Sequence, residues 1–391
     1  MPNRVLIAGG GIGGLAAAIG LARQGWSVLV LEKLEKFGEI GAGIQLGPNA
    51  FHAFDRLGVG GTARKMAVFI DNLRLMDAIS GDEITRIPLG EEFRLHMGNP
   101  YAVVHRGEMH GILLEACQAH PRIELWTNSQ VVEYTHLPDG IVAHLSDGRQ
   151  VQGSILIGAD GLWSRVRRQM LADGPPRVSG HTTYRSVIPV GEMPEDLRWN
   201  AATLWAGPKC HIVHYPLSGW KLFNLVVTYH NDAPEPVAGL PVGHDEVLKG
   251  FEHVHPVARQ VIERGQGWKL WVLCDREPVM KWTDGPVGLL GDAAHPMLQY
   301  FAQGACMAVE DAVCLSDALS DPKADPGSAL LAYQNARALR TARVQLQSRE
   351  IGNHIYHPEG AHAALRNQIM RSKSPQDWYE ALGWLYGKLS T

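Results

Sequence analysis

The chain has 391 residues, 45% of them hydrophobic and 19% charged, enough to bury a sizeable core and still wall off an internal cavity. With 36 Lys and Arg against 40 Asp and Glu, the formal net charge is −4, which gives no electrostatic reason to expect nucleic acid or an anionic membrane as partner. Five cysteines (Cys117, Cys210, Cys274, Cys306, Cys314) are odd in number, widely spaced and without a C-x-x-C pair. Neither a disulfide framework nor a metal site is expected, and reduced thiols fit a cytoplasmic location.

Residues 3–8 read as a short buried strand, residues 15–23 as a helix rich in Ala and Leu, and residues 27–31 as a second buried strand. That order is a βαβ unit. The stretch from Val5 to Ala22 has no charge and follows Arg4, so it imitates an export signal or a short membrane span. Its glycines have another explanation. Gly9, Gly11 and Gly14 form G-x-G-x-x-G between strand and helix. The first glycine permits the tight turn, the second lets backbone approach a pyrophosphate, and the third allows close helix–strand packing. The helix start offers free N–H groups to phosphate. Glu32 follows at the end of the second strand, where a carboxylate can accept hydrogen bonds from both ribose hydroxyls. This motif implies bound FAD or NAD without choosing between them.

Further along, residues 151–159 read as a buried strand running into Asp160-Gly161. Residues 181–190, 201–216 and 220–229 alternate apolar with polar positions and look like antiparallel strands of a second domain. Residues 287–291 read as another buried strand, running into Gly291-Asp292. Beyond it Gln303-Gly304-Ala305 opens a helical region, with helices over 306–319 and from 329 to about 354. A last apolar helix carries Trp378, Tyr379, Trp384, Leu385 and Tyr386. No internal repeat is evident.

Taken with the N-terminal motif, the Asp-Gly and Gly-Asp turns resemble, in order and spacing, those of the single-component flavoprotein aromatic hydroxylases. The resemblance implies an α/β fold of the PHBH-like type: a Rossmann-like FAD-binding domain, an antiparallel-sheet substrate domain and C-terminal helices. The expected FAD-binding domain is discontinuous, over residues 1–75, 98–175 and 277–325. The substrate domain covers 76–97 and 176–276, and the helical segment 326–391. By position, Asp160 lies where FAD and the nicotinamide donor are both sensed, Asp292 binds the ribityl chain, and Arg106 contacts FAD. The N–H groups at Gly304 and Ala305 can stabilise negative charge on reduced flavin. Gly41, Ala42 and Gly43 form a small-residue loop suited to lie against the flat isoalloxazine ring. No second G-x-G-x-x-G is present, which fits a nicotinamide donor that binds transiently, and the resemblance implies NADH as that cosubstrate.

The resemblance further implies that NADH reduces FAD, that oxygen adds at flavin C4a, and that one oxygen atom reaches an activated aromatic ring. Such chemistry needs water excluded, a base or acceptor near the phenol, and a ring held in place. His211, Val213 and Tyr215 share one strand face. His211 is the candidate phenol partner, Tyr215 a ring-positioning hydroxyl and Gln299 an orienter, while His214 faces the other way. Within the family these residues and the stretch 298–305 resemble the branch acting on 3-hydroxybenzoate, hydroxylated para to its phenol to give gentisate. Salicylate and 6-hydroxynicotinate remain alternative substrates, as does a flavin dehydrogenase that inserts no oxygen. For the carboxylate, Arg185 is one candidate, with an exposed strand arginine as the equal alternative, and Tyr101 is a candidate for the pocket lining. Either a monomer or a homodimer is compatible with the sequence.

Overall fold

The computed structural model describes residues 4–38, 41 and 43–387. Its nucleotide half is built on a six-stranded sheet whose centre is the strand Arg4–Ala8, flanked in parallel by Ser27–Leu31 and Ile155–Gly158. Ile123–Trp126 and Val287–Leu289 extend it on either side, and Thr283–Asp284 adds an antiparallel edge. Val5, Leu6, Ile7, Val28, Leu29 and Val30 are all buried, as expected for parallel strands covered on both faces. The first helix, Ile12–Arg23, is apolar nearly all round and is buried accordingly, packed on the helix Gly304–Ala318. It starts three residues earlier than the sequence suggests.

Two expected strands are each divided. Residues 151–159 split at Ser154: Gln150–Gly153 belongs to a separate three-stranded antiparallel sheet, and only Ile155–Gly158 joins the parallel sheet. Residues 201–216 form a hairpin, Ala201–Gly207 with Cys210–Leu217, turning at Lys209, whose φ is +54°. Apolar content alone did not register either corner.

The second half is an eight-stranded sheet. Its order is Ala238–Pro241, Gln266–Asp275, Arg177–Pro189, Leu222–His230, Cys210–Leu217, Ala201–Gly207, Asn72–Asp77 and Glu83–Pro88. All its pairs are antiparallel except Ala201–Gly207 with Asn72–Asp77. The long helix Pro326–Ile351 runs into a single π-helical turn, Gly352–Tyr356, before helices Gly360–Arg371 and Pro375–Tyr386. No helix among the described residues is long and apolar enough to cross a membrane.

A buried ion network joins these parts. Arg337, on the long helix, reaches Glu310 and Asp311 on the Gly304–Ala318 helix, each at 2.6 Å. Arg340 adds a second cation to Glu310. Burial pushes the Asp311 carboxyl up, but His295 and Arg337 more than offset it and hold it at about 2. Asp311 also accepts the Gly291 N–H and lies 2.5 Å from His295 Nε2, so the same carboxylate fixes the loop on both sides of Asp292. Arg337→Met would take a cation from two buried carboxylates at once, leaving Arg340 at Glu310 and His295 at Asp311. Urea unfolding should then show a loss of roughly 3–5 kcal/mol, and a loss below about 1 kcal/mol would contradict this role for the network.

Candidate active site

Between the two large sheets lies a cleft of about 380 Å³, an ordinary size for a small-molecule site. One wall is nucleotide machinery: Gly11, Arg106, Asp292, Gly304 and Ala305 line it. The opposite wall is the eight-stranded sheet, contributing Arg185, His211, Val213, Tyr215 and Val226, with Gln299 arriving from the loop after Pro296. The sequence-derived catalytic and flavin residues therefore converge, with four exceptions of placement.

Those exceptions, Gly9, Gly14, Glu32 and Asp160, stand behind the wall. A Cβ on Gly14 would lie 2.0 Å from the Gly9 carbonyl oxygen. One on Gly9, whose φ is +107°, would lie 2.4 Å from the Ala159 carbonyl oxygen. The close approach of helix start to sheet thus demands both glycines. Glu32 accepts N–H bonds from Gly10 at 2.8 Å and Leu34 at 2.9 Å, and each oxygen keeps a further lone pair. Asp160 accepts from Ser164 Oγ and from the Arg165 and Val166 N–H groups, so its carboxylate caps the helix Arg165–Leu171. Burial raises its pKa, opposed by those hydrogen bonds.

The donor set suits a dinucleotide. Helices Ile12–Arg23 and Gly304–Ala318 both begin at the cleft, and neither has a side-chain cap on its first N–H groups. Two uncapped helix starts facing one cavity offer the donors that a pyrophosphate and an anionic ring would use. The residues therefore fit FAD. Gly43 ties the nucleotide half to the sheet: its N–H donates to Asn224 Oδ1 at 2.8 Å, and a Cβ there would lie 2.6 Å from the Tyr215 ring. Ala42, in the same small-residue loop, lies outside the described residues.

Strand register arranges the sheet wall in three rows. Thr183, Thr228 and His211 stand abreast, then Arg185, Val226 and Val213, then Val187, Asn224 and Tyr215. Gln299 Nε2 donates to Thr183 and Thr228 hydroxyls at 3.2 and 3.1 Å, and its Oε1 accepts from Arg185 at 2.9 Å. His214, on the other face as expected, is buried, accepts from Trp205 Nε1, and its ring lies tilted 6.0 Å from that of Trp199.

His211 is backed by residues that sequence reasoning missed. Its Nδ1 lies 2.8 Å from His357 Nε2, and its ring touches Tyr356 and Tyr300. Tyr356 also lines the cleft. Tyr300 sits behind it, hydrogen-bonded to His181 Nδ1. Tyr356 and His357 come from the end of the π-helical turn. His357 is 146 positions from His211 in sequence, and no local pattern marks the pairing. Tyr101, one of the candidates for the pocket, instead donates to Gln45 Oε1 beneath it. Burial, then the neighbouring His357 and His181, pushes His211 well below the ordinary histidine value. Burial likewise takes His214 and His357 to about 3 and His181 to about 4.

Comparison with known proteins came out consistently. The profile of the FAD binding domain family matches residues 3–348. The chain is 55% identical to 3-hydroxybenzoate 6-hydroxylase 1 of Aquipseudomonas alcaligenes, over 99% of this chain and 98% of that one. It is 48% identical to 3-hydroxybenzoate 6-hydroxylase of Klebsiella oxytoca, over 98% and 96%. Among solved structures, Klebsiella pneumoniae HpxO complexed with FAD and uric acid superposes with a TM-score of 0.85 at 24% identity, covering 99% of this chain and 98% of that one, a likeness of fold.

The buried histidines give a pH expectation. Each has a folded pKa below its ordinary 6.5, so the unfolded chain takes up protons first as pH falls, and stability drops from about pH 6.5 toward 4. Urea midpoints should correspond to a loss of about 2 kcal/mol or more between pH 7.5 and 5.0. Unchanged stability over that window would mean these side chains are not held neutral by burial.

Proposed function

The chain belongs to the FAD binding domain family, and on that premise we propose that it hydroxylates 3-hydroxybenzoate to gentisate with NADH and molecular oxygen. One observation carries the reading: the cleft between the uncapped helix starts and the sheet wall brings Arg106, Asp292, Gly304 and Ala305 opposite His211, Tyr215 and Gln299. The near-full-length relatives named 3-hydroxybenzoate 6-hydroxylase support the substrate. Bound FAD supplies electron transfer from the nicotinamide and the activation of oxygen.

The chain's own side chains then have three tasks. Arg106, Asp292 and the two helix starts would hold and orient the dinucleotide. Apolar lining keeps water away: Val213 and Val226 of the sheet wall, with Met297 and Leu298 of the loop after Pro296, line the cleft among the polar groups. His211 accepts a hydrogen bond from the phenol. In the tautomer whose Nδ1 donates to His357, Nε2 keeps a lone pair to accept that bond. Because burial disfavours its cation, His211 does not store the proton but draws electron density onto the ring only while the phenol O–H is engaged. Tyr215, whose own pKa burial raises, stays a neutral hydroxyl and can hold the ring edge. Free, mostly buried cysteines support a cytoplasmic setting.

Addition of 3-hydroxybenzoate to the FAD-loaded protein should strongly accelerate NADH oxidation and yield gentisate stoichiometrically. Acceleration by salicylate or 6-hydroxynicotinate instead would keep the flavin chemistry and discard this substrate. His211→Ala should divert most NADH oxidation to hydrogen peroxide, lowering coupling on the order of 10-fold or more. His214→Ala, altering the opposite face, should lower thermal stability with coupling preserved. Equal uncoupling by the two would remove His211 from the phenol.

A further inference from the structure

Arg185 is a cation placed where the fold gives it no anion. It stands in the middle row of the sheet wall and lines the cleft. Its Nη2 donates to the neutral Gln299 amide, and its guanidinium lies 5.4 Å from the Trp271 ring centroid. Its Nε is buried without a hydrogen-bond partner. Among the described residues no carboxylate pairs with it, in contrast to Arg167, Arg177, Arg337 and Arg349, each of which has one. Burial lowers its pKa, Tyr215 opposes this, and the nearby Arg106 charge adds to it. A desolvated guanidinium with an unused donor and no carboxylate partner, on a residue that lines a cavity, favours a planar anion there.

We propose that Arg185 anchors the carboxylate of the aromatic acid, with Gln299 as the positioning residue that aims it. The inference rests on the reading that the substrate is a small aromatic acid, and it changes the part Gln299 plays. Both amide hydrogens of Gln299 go to Thr183 and Thr228, and its oxygen goes to Arg185. It is therefore a strut between the threonine pair and the guanidinium. His211 and Arg185 are two strands and one two-residue step apart, roughly 12 Å between Cα positions at ordinary sheet spacings. The ring of the acid would bridge the gap left between the two side chains. Phenol at His211 and carboxylate at Arg185 then fix both the position and the rotation of the ring, which is what regiochemistry requires.

Arg185→Met keeps an unbranched apolar stem and removes the charge. Binding to the oxidised holoenzyme is read from the change in flavin absorbance, using 3-hydroxybenzoate, its uncharged analogue 3-hydroxybenzamide, and benzoate, which has no phenol. The Kd for 3-hydroxybenzoate and for benzoate should rise on the order of 100-fold, while that for the amide changes by less than about threefold. Arg185→Lys should recover a large part of the loss, and Gln299→Ala should raise the KM for 3-hydroxybenzoate more than it lowers kcat. Equal weakening of acid and amide, or an unchanged Kd for benzoate, overturns the proposal. If the methionine variant does not retain FAD, Arg185→Gln carries the same acid-against-amide comparison. Charge-dependent benzoate binding without hydroxylation of 3-hydroxybenzoate would sink the substrate assignment and leave the anchor standing. Gentisate formation by a wild type whose benzoate affinity is indifferent to Arg185 would do the reverse.

Discussion

The carboxylate of Asp311 is the constraint from which the site is hung. It is buried, so it must be compensated, and Arg337 and His295 do that from two different segments. Because its Oδ2 also accepts the Gly291 N–H, the end of the strand Val287–Leu289, the loop bearing Asp292 and the long C-terminal helix are locked to one point. Arg167 reinforces the loop from the other side by donating to the Ala293 and Ala294 carbonyls. A loop that must hold a flexible polar chain of a cofactor gains its rigidity from charges that never touch the cofactor.

With that loop fixed, the rest of the cavity follows from two adjacent surfaces of unlike chemistry. The nucleotide half presents backbone donors and small residues, because a flat ring and a pyrophosphate both require close approach. The sheet half presents side chains in register, where a two-residue step along a strand and one strand spacing across it give a coarse grid of positions. His211, Arg185 and Tyr215 occupy three different rows of that grid. Gly43 is where the two surfaces meet, and only a glycine fits between Tyr215 and Asn224.

Behind the grid, His181, His211, His230 and His357 lie ring to ring with Tyr300 and Tyr356. Burial keeps three of them uncharged, and uncharged imidazoles can both give and take a hydrogen bond. Around His211 the wall is thus polar without being ionic, and can meet a phenol there. The cleft's cations are on the nucleotide side and at Arg185, so the placement of charge is as uneven as the chemistry of an anionic ring demands.

The nucleotide half was legible in the sequence because its signals are local. Gly9, Gly11, Gly14 and Glu32 fall within one βαβ unit, and each answers a need of the backbone within a few residues. The alternation of Cys210–Leu217 likewise puts His211 and Tyr215 on one face and His214 on the other by its period alone. The corners at Ser154 and Lys209 were not legible, since apolar runs continue through both and only pairing partners reveal the change of sheet. Tyr356 and His357 were not legible either, because nothing near them in the chain says that a π-helical turn will carry them to His211. Arg185 was visible only as one of two possibilities. Which residue alternates to which face is a period-two property of the chain itself, and the sequence determines it. Whether that face meets solvent, a carboxylate or a cavity depends on segments over a hundred positions away, and tertiary packing alone decided it.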